Sequence, residues 1–216
     1  MAEYRLHCFP ESGNAYKAAL MLALCDADWE PVFVDYASGV TRGNDWRDAN
    51  NEMGEAPVLE HGAERLTQSG VILYYLAEKF GRFGGENPAE KREILRWILF
   101  DNHKFTSYFA THRFLNSLAA DEPDPAVLAF LRARAEAAFA VVEKRLANHD
   151  FITGSRPTIA DISMVGYLYF PPGETGFDIP GDYPNIATWV ARVSSLDGWQ
   201  GPLDLIPGQP IPRRKA

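Results

Sequence analysis

The stretch Asn-Glu-Met-Gly-Glu-Ala-Pro-Val-Leu-Glu (residues 51–60), followed by Leu-Thr-Gln-Ser-Gly-Val-Ile-Leu-Tyr-Tyr-Leu (residues 66–76), decides the fold of this chain. Pro57 opens a short apolar strand, and a Gln-Ser pair stands where the next strand turns into an amphipathic helix. Because proline has no N–H to donate, it suits a fixed turn, with a cis bond as one option, that leaves neighbouring backbone groups free for a ligand. Ser69 at a helix start offers a hydroxyl and free N–H groups to a carboxylate.

The first 80 residues around this stretch predict a βαβ unit followed by a ββα unit. Apolar residues spaced i, i+3, i+4, i+7 predict the first helix, which Ser12 or Asn14 is expected to cap. Residues 37–51 are polar and contain glycine, so we expect a loop with at most one short helix there. The predicted elements are strand 4–9, helix 14–27, strand 31–36, strands 57–60 and 64–67, and helix 70–80.

The second part of the chain is predicted to be all helical. Residues 81–88 are rich in glycine and proline and mark the boundary between domains 1–81 and 88–216. Thr158-Ile-Ala-Asp161 has the pattern of a capping box before an apolar run, with Asp161 expected to be structural. The proline-rich tail 201–216 is expected to pack as extended chain.

Composition excludes several classes of function. The 216 residues carry a formal net charge of −8, with a pI near 5.1, which argues against sequence-independent nucleic-acid binding. Cys8 and Cys25 form no CxxC pair and suggest no disulfide framework. The five histidines lack ligand-like spacing, so we expect no metal site. No signal peptide or membrane span is predicted, which indicates a cytoplasmic protein.

Two further motifs carry a family resemblance together with the segment around Pro57. Residues 10–17 read P-x-S-x-N-x-x-K, and residues 154–162 hold the capping box. In this order and spacing, the motifs resemble the cytosolic glutathione S-transferase family, in its bacterial type with a serine at the thiolate-stabilising position. The resemblance covers nearly the whole chain. It implies a thioredoxin-like N-terminal domain, an all-helical C-terminal domain and a homodimer.

The resemblance implies a glutathione site in the first domain. Ser12 would donate a hydrogen bond to the glutathione sulfur, which favours the thiolate and lowers the thiol pKa, so Ser12 is the expected catalytic residue. The backbone of Ala56 would pair with the cysteinyl main chain of glutathione as an added strand does, with Pro57 setting the turn. Gln68 and Ser69 would hold the γ-glutamyl carboxylate and amine.

Further residues are assigned by the same resemblance. Asn14 is expected to contact glutathione or to cap the helix, and Arg42 to lie near the glycine carboxylate of glutathione. His103 and Tyr108 are expected to line the pocket for the electrophile. Lys17 is expected to be a solvated helical lysine.

The sequence thus predicts an enzyme, a glutathione S-transferase that joins the glutathione thiolate to a small hydrophobic electrophile. Isomerisation, dehalogenation, and disulfide or peroxide reduction stay open because they use the same glutathione site. A non-catalytic interaction protein with this fold also stays open, since the family often has other residues at Glu55 and Ala56. A carboxylate at Glu55 is expected to repel the acidic tripeptide if it points inward. The electrophile itself stays unassigned because fold analogy carries no substrate information.

Overall fold

Four short strands organise the first part of the chain: β1 (Tyr4–Cys8), β2 (Trp29–Phe33), β3 (Val58–His61) and β4 (Glu64–Thr67). The computed structural model, which describes residues 2–213, arranges them in one sheet in the order β2-β1-β3-β4. β1 pairs with β2 in parallel and with β3 antiparallel, and β3 pairs antiparallel with β4. Pro31 lies in the edge strand β2, where a residue without an N–H is tolerated.

Three helices accompany this sheet: α1 (Gly13–Leu24), α2 (Asn44–Ala49) and α3 (Ser69–Phe80). α1 and α3 pack against each other, and their apolar side chains are buried together with alternate residues of β1. Leu6 and Cys8 are fully buried, as expected for the face of a strand that meets the core. The order βαβ then ββα is that of a thioredoxin-like domain, as the sequence predicted. The region predicted as a loop contains α2 and a short 3₁₀ turn at Val40–Arg42.

The chain returns to this first unit near its C-terminus. Residues up to Arg82 and the segment Leu196–Ile211 form one compact unit. This segment contains the short helix α11 (Pro202–Leu205), which packs on α1. The break at residues 81–88 predicts instead that the whole range 88–216 belongs to the helical domain. The difference has a physical reason, because the segment packs within the first unit and buries Leu205 and Ile206 there.

Because α1 is packed on several sides, one prediction about its exposed residues is wrong. Lys17 was predicted to be a solvated lysine, but its side chain is fully buried. α1 contacts β1, α3 and α11, so few of its positions reach solvent. The apolar spacing of α1 indicates only one buried face. It gives no sign that a segment about 180 residues later in the chain packs on another face of the helix.

The second unit comprises Phe83–Ser195 with Pro212 and Arg213, and it is built of helices. Its long central helix is continuous from residue 88 to residue 118 and contains π-helical turns at Asp101–Phe105 and Phe114–Leu118. The helices are α4 (Pro88–Phe100), α5 (Thr106–Arg113), α6 (Pro125–Leu146), α7 (Ile159–Met164), α8 (Pro172–Thr175), α9 (Ile179–Asp182) and α10 (Pro184–Ser194). The predicted all-helical character of this part is confirmed.

The capping box predicted at the start of α7 is present and is wholly buried. Thr158 accepts from the N–H of Ala160, and the carboxylate of Asp161 accepts from the Thr158 N–H at 2.8 Å. Asp161 also accepts from the Ile152 N–H at 2.8 Å and from the Trp189 indole N–H at 2.9 Å. Since a buried carboxylate is tolerated only with such donors, Asp161 joins three segments of the helical unit.

We expect Asp161→Ala to lower the free energy of unfolding by about 3 kcal/mol or more, because it leaves several buried donors unpaired as well as removing a cap. Asp124, the exposed cap of α6, is the matched control, since within residues 2–213 its carboxylate accepts only from the Ala126 N–H, at 2.8 Å. Asp124→Ala should cost about 1 kcal/mol. Urea denaturation of both variants measures the difference, and equal losses would contradict the joining role of Asp161.

Candidate functional site

Three segments singled out from the sequence come to one end of the sheet. His7 of β1 lies opposite Val58 of β3, and Val58 lies opposite Thr67 of β4. Because antiparallel neighbours run in opposite directions, the end of β1, the start of β3 and the end of β4 coincide. The turn after β1, the Ala-Pro bond before β3 and the Gln-Ser pair after β4 therefore lie side by side.

Ser12 begins α1 and caps it. Its Oγ accepts from the Ala15 N–H at 3.1 Å, while its own N–H donates to the Phe9 carbonyl at 3.1 Å. The side chain is 4% exposed. Within residues 2–213 the hydroxyl proton of Ser12 has no acceptor, so it is free to be donated to a ligand. Asn14, the alternative cap, is half-buried in the first turn of α1 and makes no cap hydrogen bond.

The Ala56–Pro57 peptide bond is cis, the option that the sequence analysis allowed. Pro57 is buried, and the next residue begins β3. In the part of the chain that the structure describes, the Ala56 N–H and C=O have no hydrogen-bond partner. An unpaired donor and acceptor on one residue beside a strand are what an extended peptide needs in order to bind as an added strand.

The loop before this bond is held by Asn51, a residue to which the sequence analysis gave no role. Asn51 is 2% exposed; its side-chain amide donates to the Glu55 carbonyl at 2.9 Å and accepts from the Met53 N–H at 3.0 Å. Gly54 has a φ of +71°, and a Cβ there would lie 2.8 Å from the Thr41 carbonyl oxygen. Asparagine side chains commonly form hydrogen bonds with backbone groups two to four residues ahead in turns. An Asn shortly before Gly54 was therefore the sequence signal for this loop.

Gln68 joins this loop to the start of α3. Its amide donates to the Glu55 carboxylate at 2.9 Å, so the Glu55 side chain is directed toward Gln68. Gln68 has φ 65° and ψ 113°, a conformation that costs about 1–3 kcal/mol for a residue with a side chain. Such strain is tolerated where the surroundings hold it in place, and it is commonly found at ligand sites.

Ser69 is the first residue of α3 and is 7% exposed. The N–H groups of the first helical turn have no partner within the helix, and the helix dipole makes this end favourable for an anion. Across residues 2–213, the Ser69 hydroxyl also has no hydrogen-bond partner. The start of α3 therefore offers a hydroxyl and backbone donors to a carboxylate.

Arg42 lies in the 3₁₀ turn that follows β2, and its side chain is exposed. The neighbouring Thr41 is 1% exposed and anchors this turn. Among the described residues the Arg42 guanidinium has no ion-pair partner. It is thus a cation available to an anionic ligand on the same polypeptide unit as Ser12 and Ser69.

The two cysteines are poorly suited to redox or nucleophilic chemistry. Cys8 is fully buried, and burial raises the pKa of its thiol to about 12. Burial also raises the pKa of the Cys25 thiol, against the opposing charge of Arg82. Since the thiolate is the reactive form, neither side chain supplies a nucleophile at neutral pH.

The residues expected to line an electrophile pocket belong to the second unit. His103 is exposed in the first π-helical turn, and Tyr108 is half-buried on α5. The Tyr108 hydroxyl accepts from the Arg134 guanidinium at 3.3 Å, a contact that lowers the pKa of Tyr108. The function of both residues stays a prediction. His112, on the same helix, is buried with its Nδ1 3.0 Å from the Thr175 carbonyl oxygen and has a structural role.

Comparison with known proteins identifies the family. Models of the glutathione S-transferase N-terminal and C-terminal domains match residues 2–78 and 125–192. A solved glutathione S-transferase from Pseudomonas fluorescens is 31% identical, with a TM-score of 0.85 over 94% of this chain and 100% of that one. The chain belongs to the glutathione S-transferase family.

Relatives in this family differ in their named activities. Glutathione S-transferase 3 from Zea mays is 26% identical over 229 residues and is matched along 100% of both chains. Disulfide-bond oxidoreductase YfcG from Escherichia coli is 26% identical over 193 residues, which cover 87% of this chain and 88% of that protein. Membership of the family therefore does not by itself specify the reaction.

Two negative observations apply to residues 2–213. No group of three or more His, Cys, Asp or Glu side chains there is placed to hold a metal ion. Over the same range, no helix combines the length and the apolar character needed to cross a bilayer.

We expect Gln68→Gly to stabilise the ligand-free protein by about 1 kcal/mol over Gln68→Ala, because glycine adopts a positive φ without strain. Both variants lose the side chain that meets Glu55, so they form a matched pair. Thermal unfolding without ligand gives the comparison. If Gln68→Gly is no more stable than Gln68→Ala, the backbone at this position is not strained.

Proposed function

We propose that this protein binds glutathione at the end of its sheet and conjugates the glutathione thiolate to a small hydrophobic electrophile. One observation carries the proposal. Three groups lie side by side at one end of the sheet: the unused hydroxyl proton of Ser12, the unpaired backbone N–H and C=O of Ala56, and the open start of α3 at Ser69. These are the three kinds of group that a thiol-containing peptide with a free carboxylate requires.

Each part of glutathione then has a binding group of matching chemistry. The γ-glutamyl carboxylate binds the hydroxyl and the first N–H groups of α3 at Ser69, and Gln68 binds the neighbouring amine. The cysteinyl main chain pairs with the backbone of Ala56 beside Pro57. The glycine carboxylate is neutralised by the exposed guanidinium of Arg42. Asn14 completes the site as a polar neighbour of the sulfur.

Ser12 is the proposed catalytic residue. Its hydroxyl donates to the sulfur, which stabilises the thiolate over the thiol and lowers the thiol pKa. The field at the start of α1 acts in the same direction. An unperturbed cysteine thiol titrates near pH 8.5, so the first pKa unit of lowering raises the thiolate fraction at neutral pH by about eightfold. The thiolate attacks the electrophile, a carbon–sulfur bond forms, and Ser12 keeps its proton throughout.

The electrophile is proposed to bind residues of the helical domain, including His103 and Tyr108. Because the aromatic ring of Tyr108 packs near Phe130, an apolar substrate would find matching surface there. We further propose that the protein acts as a cytoplasmic homodimer, which is typical of its family.

Disulfide reduction is a second candidate, favoured by the similarity to the Escherichia coli oxidoreductase. Since burial raises the pKa of both Cys8 and Cys25, the attacking sulfur would again be that of glutathione. The thiolate would attack a disulfide sulfur, form a mixed disulfide and release the other sulfur as a thiolate, and a second glutathione would complete the reduction. Replacement of Cys25 by serine should leave such a reaction intact.

The first experiment is calorimetric titration with glutathione at neutral pH, followed by rate measurements with a panel of electrophiles. We expect one glutathione to bind per chain and Gln68→Ala to weaken binding by about tenfold, which corresponds to the loss of one charge-assisted hydrogen bond. Absence of binding up to millimolar glutathione would favour the non-catalytic alternative, with Glu55 as the first residue to replace.

Replacing Ser12 tests the chemical step. We expect Ser12→Ala and Ser12→Gly to raise the thiol pKa of bound glutathione by about one unit and to slow conjugation at neutral pH by about tenfold or more. Ser12→Gly is the matched control for the lost helix cap, because glycine costs only a few tenths of a kcal/mol there. An unchanged rate in both variants would remove Ser12 from the mechanism.

A further inference from the structure

Glu11, the residue before Ser12, is a buried acidic side chain to which the proposed mechanism gives no role. It is 2% exposed, and its Oε1 accepts from the N–H of Ile211 at 2.7 Å. A buried carboxylate needs donors to offset its lost hydration, and a hydrogen bond to a charged acceptor is stronger than one between neutral groups. The turn that carries Ser12 is therefore joined to a residue 200 positions later in the chain.

A second contact brings the C-terminal segment onto the same turn. The backbone of Gly208 runs so close that a Cβ there would lie 2.8 Å from Cδ2 of Phe33 and 3.2 Å from Cγ of Pro10. Phe33 ends β2, and Pro10 belongs to the turn between β1 and α1. The segment thus lies directly against the residues that precede Ser12.

A third contact holds α1 itself. The Tyr16 hydroxyl donates to the Gln200 carbonyl at 2.7 Å, and Tyr16, one helical turn beyond Ser12, is fully buried. Gly198 has a φ of +85°, and a Cβ there would lie 2.8 Å from the Ala23 carbonyl oxygen. The segment therefore follows α1 from its last turn back to its first.

We propose that the segment Leu196–Ile211 is a positioning element of the thiolate site and that it acts through the bond between Glu11 and Ile211. This inference rests on the proposed role of Ser12 as thiolate stabiliser. Glu11 does not touch the reacting atoms; it fixes the turn from which the Ser12 hydroxyl points.

The Ser12 hydroxyl needs such a restraint because its position relative to the sulfur has to be precise. A catalytic donor has to be held within roughly 0.5 Å of its productive position. The Ser12 backbone is held by its own N–H bond to Phe9 and by the start of α1, both of which lie within a few residues of it. The bond from Glu11 to Ile211 adds a long-range restraint, so the direction of the Ser12 hydroxyl depends on the C-terminal segment as well as on the local turn.

The N–H of Ile211 can be removed without substituting any residue of the turn that carries Ser12. Ile211→Pro deletes the donor and leaves Glu11 and the rest of the turn unchanged. We expect the thiol pKa of bound glutathione to rise and kcat for conjugation to fall on the order of tenfold, because small misplacement of a catalytic group already costs rate. The KM for glutathione should stay within about twofold, since the proposed contacts of Ala56, Gln68 and Ser69 are untouched.

Gln209→Pro is the matched control. Gln209 is an exposed residue of the same segment, and its N–H has no partner within residues 2–213. The same substitution there should leave the thiol pKa and kcat at their wild-type values. Thermal unfolding of both variants checks that each is folded at the assay temperature.

A double-mutant cycle assigns the effect to one bond. Glu11→Ala should raise the thiol pKa as Ile211→Pro does, and the double variant should be no worse than the more affected single variant. Additive effects would show that the two residues act separately and would overturn the inference. A wild-type thiol pKa in folded Ile211→Pro would overturn it as well. If the wild-type protein itself binds no glutathione, it is the proposed function that fails, which the wild-type titration shows before any variant is made.

Discussion

The pairing of β3 between β1 and β4 is the constraint on which the rest of the N-terminal unit depends. Its register places His7, Val58 and Thr67 in one row. The turn after β1, the Ala-Pro bond before β3 and the Gln-Ser pair after β4 therefore lie at the same end of the sheet. A shift by one residue would turn every side chain of a strand to the opposite face. Leu6 and Leu59, which pair with each other and are fully buried, oppose that shift, because they would leave the face of the sheet that they now share. Burial of a few leucines therefore determines where the polar groups of the site lie.

Much of this arrangement could be predicted from the sequence because its signals are local. A proline before a short apolar run, a Gln-Ser pair before an amphipathic helix and a serine before another helix each reflect the backbone needs of neighbouring residues. The capping box at Thr158 is of the same kind, since its partners lie within three residues. The thioredoxin-like layout followed from the βαβ and ββα pattern, which allows few topologies.

The parts that could not be predicted depend on contacts between distant residues. Nothing near Lys17 indicates that its helix is covered on a further side, and nothing near Glu11 indicates an N–H donor 200 residues away. The domain assignment of residues 196–211 differed for the same reason, since prolines signal where regular structure stops but not which surface the chain then follows. The role of Asn51 lay between these cases, because its partners are local but belong to an irregular loop.

Because Gln68 and Glu55 are joined by a hydrogen bond, the residue that is acceptable at one of these positions depends on the residue at the other. Glutamine at position 68 can donate to a carboxylate, whereas glutamate at the same position would place two negative charges about 3 Å apart, where they would repel each other. The amide at one position thus permits the acid at the other. A graft of this loop onto a related protein would therefore have to carry residue 68 together with residue 55.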